Sequence, residues 1–272
     1  MGPFLKMVSL FYFFTMNLVT TEVKGHVLLI GLNRPDKMNA FTMEMLHELA
    51  EAYTILEKDD HLRCGLVFAN GYHFTAGLDL GKVAPHVQTG KNLFPDHLVD
   101  PFNLNGQQRT KPVITAVKGY CLTVAIELIL AADICVAADN CKFGQIEIKR
   151  GIFPFGGATI RFLQRSGWGN AMRYLLTGDY FDSVEAYRIG LVQEVVKGSP
   201  FDRALELAQT VADQAPLGVY ATLKNARKVL AEAEKAAIPD LLPTAIQLMQ
   251  TEDAAEGLQS FLERRKAQFK GK

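Results

Sequence analysis

The sequence predicts an α/β fold that gives way to a helical C-terminal region. Short apolar runs rich in Val, Leu and Ile alternate with segments whose apolar residues recur at helical spacing. Turn residues separate them, and beyond Gly198-Ser199-Pro200 the strand-like runs stop. The chain has 272 residues, 49% of them hydrophobic and 21% charged, which suffices to bury a full core and excludes a disordered or fibrous chain.

Taken in order, His26 to Leu32 reads as a strand stopped by Asn33-Arg34-Pro35-Asp36. Thr42 can cap a helix in which Met45, Leu46, Leu49, Ala52, Tyr53 and Leu56 face a sheet, while Glu44, Glu48, Glu51 and Lys58 face water. Cys64 to Ala69 is an apolar strand ending in a turn at Asn70-Gly71, and a second short segment runs through Phe74 to Gly77. Asp79 to Thr110 carries Pro85, Pro95, Pro101, Gly90 and Gly106 with little periodicity, the pattern of a loop with a short helix over a site. Val113 to Val117 is a strand, Ala125 to Ala131 a buried helix and Ile134 to Ala137 another strand. Pro154 and Gly156-Gly157 form a turn before a helix at Ala158 to Ser166. The C-terminal part reads as helices at Phe201 to Gln214, Pro216 to Glu234, Asp240 to Gln250 and Thr251 to Lys266. Trp168, the single tryptophan, reads as a core or subunit contact.

Composition narrows the function. Lys plus Arg and Asp plus Glu balance at 29 each, so the polyelectrolyte attraction that nucleic-acid binders use is not evident. Cys64, Cys121, Cys135 and Cys141 form no Cys-x-x-Cys pair, and only Cys64 has a histidine close by, His61, which argues against a zinc site and for reduced thiols in the cytoplasm. Met7 to Met16 is an apolar run preceded by Lys6, like a signal-peptide core in outline, but it lacks a small-residue cleavage site and is too short to span a bilayer. We read residues 1–15 as an upstream extension or misassigned start, residues 16–198 as the α/β core and residues 199–272 as the helical region.

The chain has no Gly-x-Ser-x-Gly elbow, Walker-type loop, Gly-x-Gly-x-x-Gly fingerprint or His-Glu-x-x-His. One residue stands out instead. Glu127 is the only ionisable group in Ala125 to Ala131, and a carboxylate there is costly without a partner or a task. Three segments then carry a pattern: HFTAGLDL at 73–80, KGYCLTVAIEL at 118–128 and FGQIEI at 143–148. Together with Asn33-Arg34-Pro35, Asn39-Ala40-Phe41 and Gly190-Leu191-Val192, in this order and spacing, they resemble the crotonase superfamily, whose best-known members are enoyl-CoA hydratases.

That resemblance implies a crotonase-type ββα spiral with a helical C-terminal region that mediates trimers, also stacked as dimers of trimers. It implies an acyl-CoA thioester substrate, no metal and no cofactor beyond the coenzyme A carried by the substrate. Two backbone N–H groups, those of Leu78 and Val124, would hold the thioester oxygen where negative charge gathers, the second at a helix start that favours an anion. Glu127 would activate water and Glu147 would protonate the α-carbon; their separation, 147 − 127 = 20 positions, is that of the hydratase pattern. Apolar Ile126, Ile146 and Ile148 would raise a carboxyl pKa, whereas a purely structural role would pair Glu147 with Lys149 or Arg150. The loop at Lys37, Met38 and Ala40 with Ala76, Gly77, Asp79 and Leu80 would cradle coenzyme A, and Arg264, Arg265 or Lys270 would meet its phosphates.

The departure is Thr123-Val124-Ala125, where hydratases carry a run of glycines that lets the thioester lie against the backbone. The residues leave three readings open: a hydratase, an isomerase or other enolate-forming enzyme, and a non-catalytic acyl-CoA binder. No membrane role is expected of any of them.

Overall fold

A computed structural model describes residues 18–272, so the extension expected at residues 1–15 lies outside it. Strands β1 (Val19–Lys24), β2 (Val27–Leu32), β3 (Cys64–Ala69), β4 (Val113–Val117), β6 (Ile134–Ala138) and β9 (Glu194–Val196) form a six-stranded sheet in the order β1-β2-β3-β4-β6-β9. Every pair is parallel except β1 with β2, a hairpin whose two-residue turn places Gly25 at φ +61°. That leading strand was not expected. It is mostly exposed, and Glu22 and Lys24 blunt its free edge. Strand β2 is buried along its whole length because both sheet faces are covered, which explains its unbroken apolar sequence.

On one face, helix α1 (Met43–Lys58) buries the expected stripe, capped by Thr42, whose hydroxyl accepts from Met45 N–H at 3.2 Å. On the other face Val27, Leu29, Leu66, Ile114 and Val136 pack against Ala204, Leu205 and Ala208 of helix α7 (Pro200–Ala212). A second sheet consists of β5 (Tyr120–Leu122), β7 (Lys142–Gly144) and β8 (Phe181–Asp182), with Thr75 bridged in parallel to Cys121 of β5. Helix α3 (Val124–Ala131) follows β5, and helices α4 (Ala158–Ser166), α5 (Trp168–Thr177) and α6 (Ser183–Arg188) follow β7. Before α3 the chain thus lays β4 in the large sheet and β5 in the small one, and before α4 it lays β6 and β7 in the same way, a course of the kind the resemblance implies. Helix α2 (Leu80–Val87) is the short helix expected in the loop.

The C-terminal region differs from expectation in one respect. Two helices expected on either side of Pro239 are one helix, α8 (Pro216–Met249), which runs through Pro239 and Pro243 before α9 (Glu252–Leu262). Each proline removes an internal hydrogen bond, but Leu241 and Ala245 are buried around them and pack this stretch down. Trp168 sits at the start of α5 and is 70% exposed, so it is not part of the core.

Candidate active site

The small sheet brings two chain segments side by side. Thr75 N–H donates to Tyr120 O at 3.1 Å, and Leu122 N–H returns to Thr75 O at 3.1 Å. Leu78 and Val124 each lie three residues beyond the bridged pair Thr75 and Cys121 (78 − 75 = 124 − 121 = 3), where both segments leave the sheet. Neither N–H has an acceptor among the described residues, while those around them do: Gly77 N–H donates to Thr75 Oγ1, Asp79 N–H to Phe41 O and Thr123 N–H to Gly144 O. Val124 opens α3, so its N–H is one of the groups a helix leaves unpaired. Two free main-chain donors at neighbouring segment ends are groups that could donate to an anion.

The two glutamates are brought together from α3 and from the short 3-10 turn Glu147–Arg150. Glu127 is 3% exposed and Glu147 8%. Glu127 Oε1 accepts from Gly156 N–H at 2.7 Å and from Ala158 N–H at 3.4 Å. Burial nevertheless raises its carboxyl to about 7, with those two amides and Arg161 pulling it down. Glu147 Oε1 accepts from Gln145 Nε2 at 3.0 Å, and its Oε2 has no partner among the described residues. Burial pushes this carboxyl well above the usual range, and the charge of Glu127 pushes it further. The pair therefore shares one environment, in which burial and mutual repulsion favour the protonated form of each carboxyl. Among the described residues Glu147 forms no ion pair: Lys149 lies against Asp179 at 3.8 Å and Arg150 stacks on the ring of Phe261.

The loop expected to cradle coenzyme A is stitched to this site. Ala76 N–H donates to Met38 O at 2.9 Å, Thr75 Oγ1 to Asn39 O at 2.7 Å, and Phe41 N–H to Gly77 O at 2.9 Å. Met38 is 43% exposed and in the left-handed region at φ 50°, so its side chain stands at the rim. Lys37 and Ala40 flank it, and Leu80 starts α2. Asp79 is occupied: Arg34 binds its carboxylate at 3.0 Å and donates to Ala40 O at 2.6 Å, tying loop to site. Arg265 is also committed, to Glu256 at 2.6 Å and Glu263 at 2.5 Å, and Lys270 lies in the field of the same Glu256. Sequence reasoning gave Gln145 and Arg34 no role, although both stood in the motif segments; their partners could not be read from spacing.

Behind the turn that holds Glu127 lies a cavity of about 190 Å³ lined mainly by Leu93, Phe94, Phe102, Leu104, Phe155 and Leu241. Phe155 precedes the Gly156 amide, and a Cβ on Gly157 would meet Leu104 at 3.2 Å, so one turn separates cavity from carboxyl. Its polar lining is Asn92, Asp100 and Asn105, and no cationic side chain is among its lining residues. The Asp100 carboxylate is saturated by the N–H groups of Phe102, Leu104 and Asn105. A larger cavity of about 1090 Å³ between α8 and the end of α3 is lined by Arg109, Arg161, Arg165 and Arg227 and includes neither glutamate.

Comparison with known proteins identifies the family. A sequence model described as enoyl-CoA hydratase/isomerase matches residues 22–272. Enoyl-CoA hydratase EchA19 of Mycobacterium tuberculosis is 33% identical over 256 residues, covering 92% of this chain and 96% of that protein. Among solved structures, a probable enoyl-CoA hydratase/isomerase from Mycobacterium abscessus is 50% identical with a TM-score of 0.77, covering 94% of this chain and 99% of the other. A carnitinyl-CoA hydratase from Mycobacterium avium is 29% identical with a TM-score of 0.85 over the same shares, 94% and 99%.

Proposed function

Because the chain belongs to the enoyl-CoA hydratase/isomerase family and is an enzyme of it, we propose that it adds water reversibly across the double bond of a 2-enoyl-CoA thioester. The observation that carries this reading is the pair of buried carboxyls, one in the field of the other, beside two segment ends with unpaired N–H groups. Glu127, as carboxylate, takes a proton from water as the oxygen bonds to the β-carbon. The electron pair of the double bond moves onto the thioester oxygen, held by Leu78 and Val124 N–H. Glu147 then delivers its proton to the α-carbon. Glu127 is then protonated and Glu147 ionised, and transfer of one proton between them restores the resting pair; coenzyme A enters only as part of the substrate, on the loop of Lys37, Met38 and Ala40 with Ala76, Gly77 and Leu80, Asp79 serving through Arg34.

Two carboxyls with distinct tasks favour hydration over isomerisation, which needs only one proton-transferring group. Loss of the conjugated thioester absorbance with a product heavier by one water is the expected assay result. A product of unchanged mass would establish isomerisation, and binding by calorimetry without turnover would establish a non-catalytic binder.

The pH profile follows from the pair. Glu127 must be ionised and its carboxyl is raised to about 7, so hydration kcat/KM rises with pH through the neutral range. Glu147 must be protonated and lies well above the carboxylate range, so activity falls again on the alkaline side. A profile with no rise between about pH 6 and 8, where a carboxyl so raised titrates, would contradict the assignment of Glu127 as base.

The apolar cavity also selects among acyl groups. Its lining lacks a cation that could neutralise a terminal carboxylate, and burying an unpaired charge is costly. The expected substrate is an apolar enoyl chain without a terminal carboxylate. In a panel of enoyl-CoAs, kcat/KM for a medium apolar chain should exceed that for the same length ending in a carboxylate by about tenfold or more, the ratio that about 1.4 kcal/mol of binding discrimination gives. Equal values would remove the cavity from specificity.

The assembly that fits this reading is a homotrimer or dimer of trimers built on the helical region, where α8 leaves Leu217 81% and Val229 83% exposed. A cytoplasmic location fits four free buried cysteines and the lack of any described helix long and apolar enough to cross a membrane.

A further inference from the structure

The two donor amides belong to the peptide units Gly77–Leu78 and Thr123–Val124, and the residues that begin those units touch. A Cβ built on Gly77 would lie 2.0 Å from Thr123 Oγ1 and 3.3 Å from Thr123 Cβ. The Thr123 side chain thus fills the space that any side chain at 77 would need. Gly77 itself stands at φ +101°.

Thr123 has φ 53° and ψ −109°, the conformation of the first central residue of a type II′ turn, where glycine is the rule. A β-branched residue is strained there, and such strain persists only where the surroundings over-determine it. They do. Thr123 N–H is tied to Gly144 O at 2.9 Å, and its carbonyl accepts from Ile126 N–H at 2.8 Å and Glu127 N–H at 3.3 Å. Its hydroxyl has no hydrogen-bond partner among the described residues and lies where a Cβ on Gly77 would stand.

We infer that Thr123 is a positioning residue whose side chain wedges against Gly77 to set the separation of the two donor peptides and the aim of the Val124 N–H. The inference rests on the hydratase reading and adds to it a residue that contributes no donor of its own. The ψ angle of Thr123 rotates the peptide that carries the Val124 N–H. A threonine locked at one ψ holds that donor in one direction, whereas glycine in its place would sample several. Bulk at 123 and its absence at 77 are two halves of one device.

The test uses the protein with a short 2-enoyl-CoA. The second readout is the infrared carbonyl stretch of a bound saturated acyl-CoA, which moves to lower frequency when both donors engage. Thr123→Gly should lower kcat about tenfold, a fraction of the 10²- to 10³-fold that a missing donor costs, with KM changed less than about twofold. The carbonyl shift should shrink in parallel, and Thr123→Ser, which keeps Oγ1, should recover most of both. Parent-like kcat and carbonyl shift in Thr123→Gly overturn the proposal. Where the glycine variant does not fold, Thr123→Ala is compared with Thr123→Ser in the same measurements, and equal values overturn it. If the unaltered chain shows neither hydration nor a carbonyl shift, the hydratase reading falls and the proposal with it, whereas a normal parent with an indifferent glycine variant sinks the role of Thr123 alone.

Discussion

Glu147→Gln should lower kcat for hydration by about 10²- to 10⁴-fold, the range that a positioned general acid supplies, while acyl-CoA affinity changes little. The amide keeps the shape of the carboxyl and can still accept from Gln145 Nε2, as Glu147 Oε1 does at 3.0 Å, but it has no acidic proton to give. Stability provides the control. The folded protein holds this carboxyl above its unfolded pKa, so the native state is progressively destabilised as pH rises from the unfolded value toward the folded one. Removing the ionisable group removes that loss, and the melting temperature of Glu147→Gln at pH 8 should equal or exceed that of the parent. A variant that melts normally and turns over at the parent rate would take Glu147 out of the mechanism.

Gly156→Ala should lower kcat about 10²-fold, the cost of displacing a catalytic group by about 1 Å, although the substitution adds only a methyl and alters no catalytic residue. A Cβ at this position would lie 2.3 Å from Glu127 Oε2 and 2.6 Å from Glu127 Cδ, closer than packed atoms allow. The carboxyl must move, or the turn must withdraw its N–H, which now donates to Glu127 Oε1 at 2.7 Å. Overpacking of this kind costs about 1 to 3 kcal/mol of stability as well, so thermal melts accompany the kinetics. Glycine at 156 is required by space, since it is absent from the residues with positive φ. Unchanged kcat in a folded Gly156→Ala protein would mean that Glu127 does not depend on this turn for its position.

Much of the fold was legible because its signals are local. The apolar runs at Cys64–Ala69 and Val113–Val117 coincide with strands β3 and β4, and the Thr42 cap and the buried face of α1 followed from side chains one or two turns apart. The short strands β5, β7 and β8 carry two or three residues each, too few for any periodicity to register. The unbroken α8 was missed for a different reason: Pro239 predicts a stop, and only packing of Leu241 and Ala245 against the core overrides it.

The site divides in the same way. Residue identity and order determined by themselves that a carboxyl lies within an apolar helix, that a second follows 20 positions later, and that glycine-bearing segments flank possible backbone donors. These are statements about chemistry carried on short stretches of chain, and short stretches can be read. Which groups surround each carboxyl was decided by tertiary structure: Gly156 and Ala158 reach Glu127 from 29 and 31 positions away, and Arg34 reaches Asp79 across 45. So was the apolar cavity, whose walls come from the loop around Phe94 to Leu104, from Phe155 and from Leu241 on α8. The field of Glu127 on Glu147, and the contact of Thr123 with Gly77, depend on distances that exist only once the sheets have formed. Electrostatic coupling and close packing act through space and not along the chain, so the sequence supplies the reacting groups and the folded protein sets the geometry in which they react.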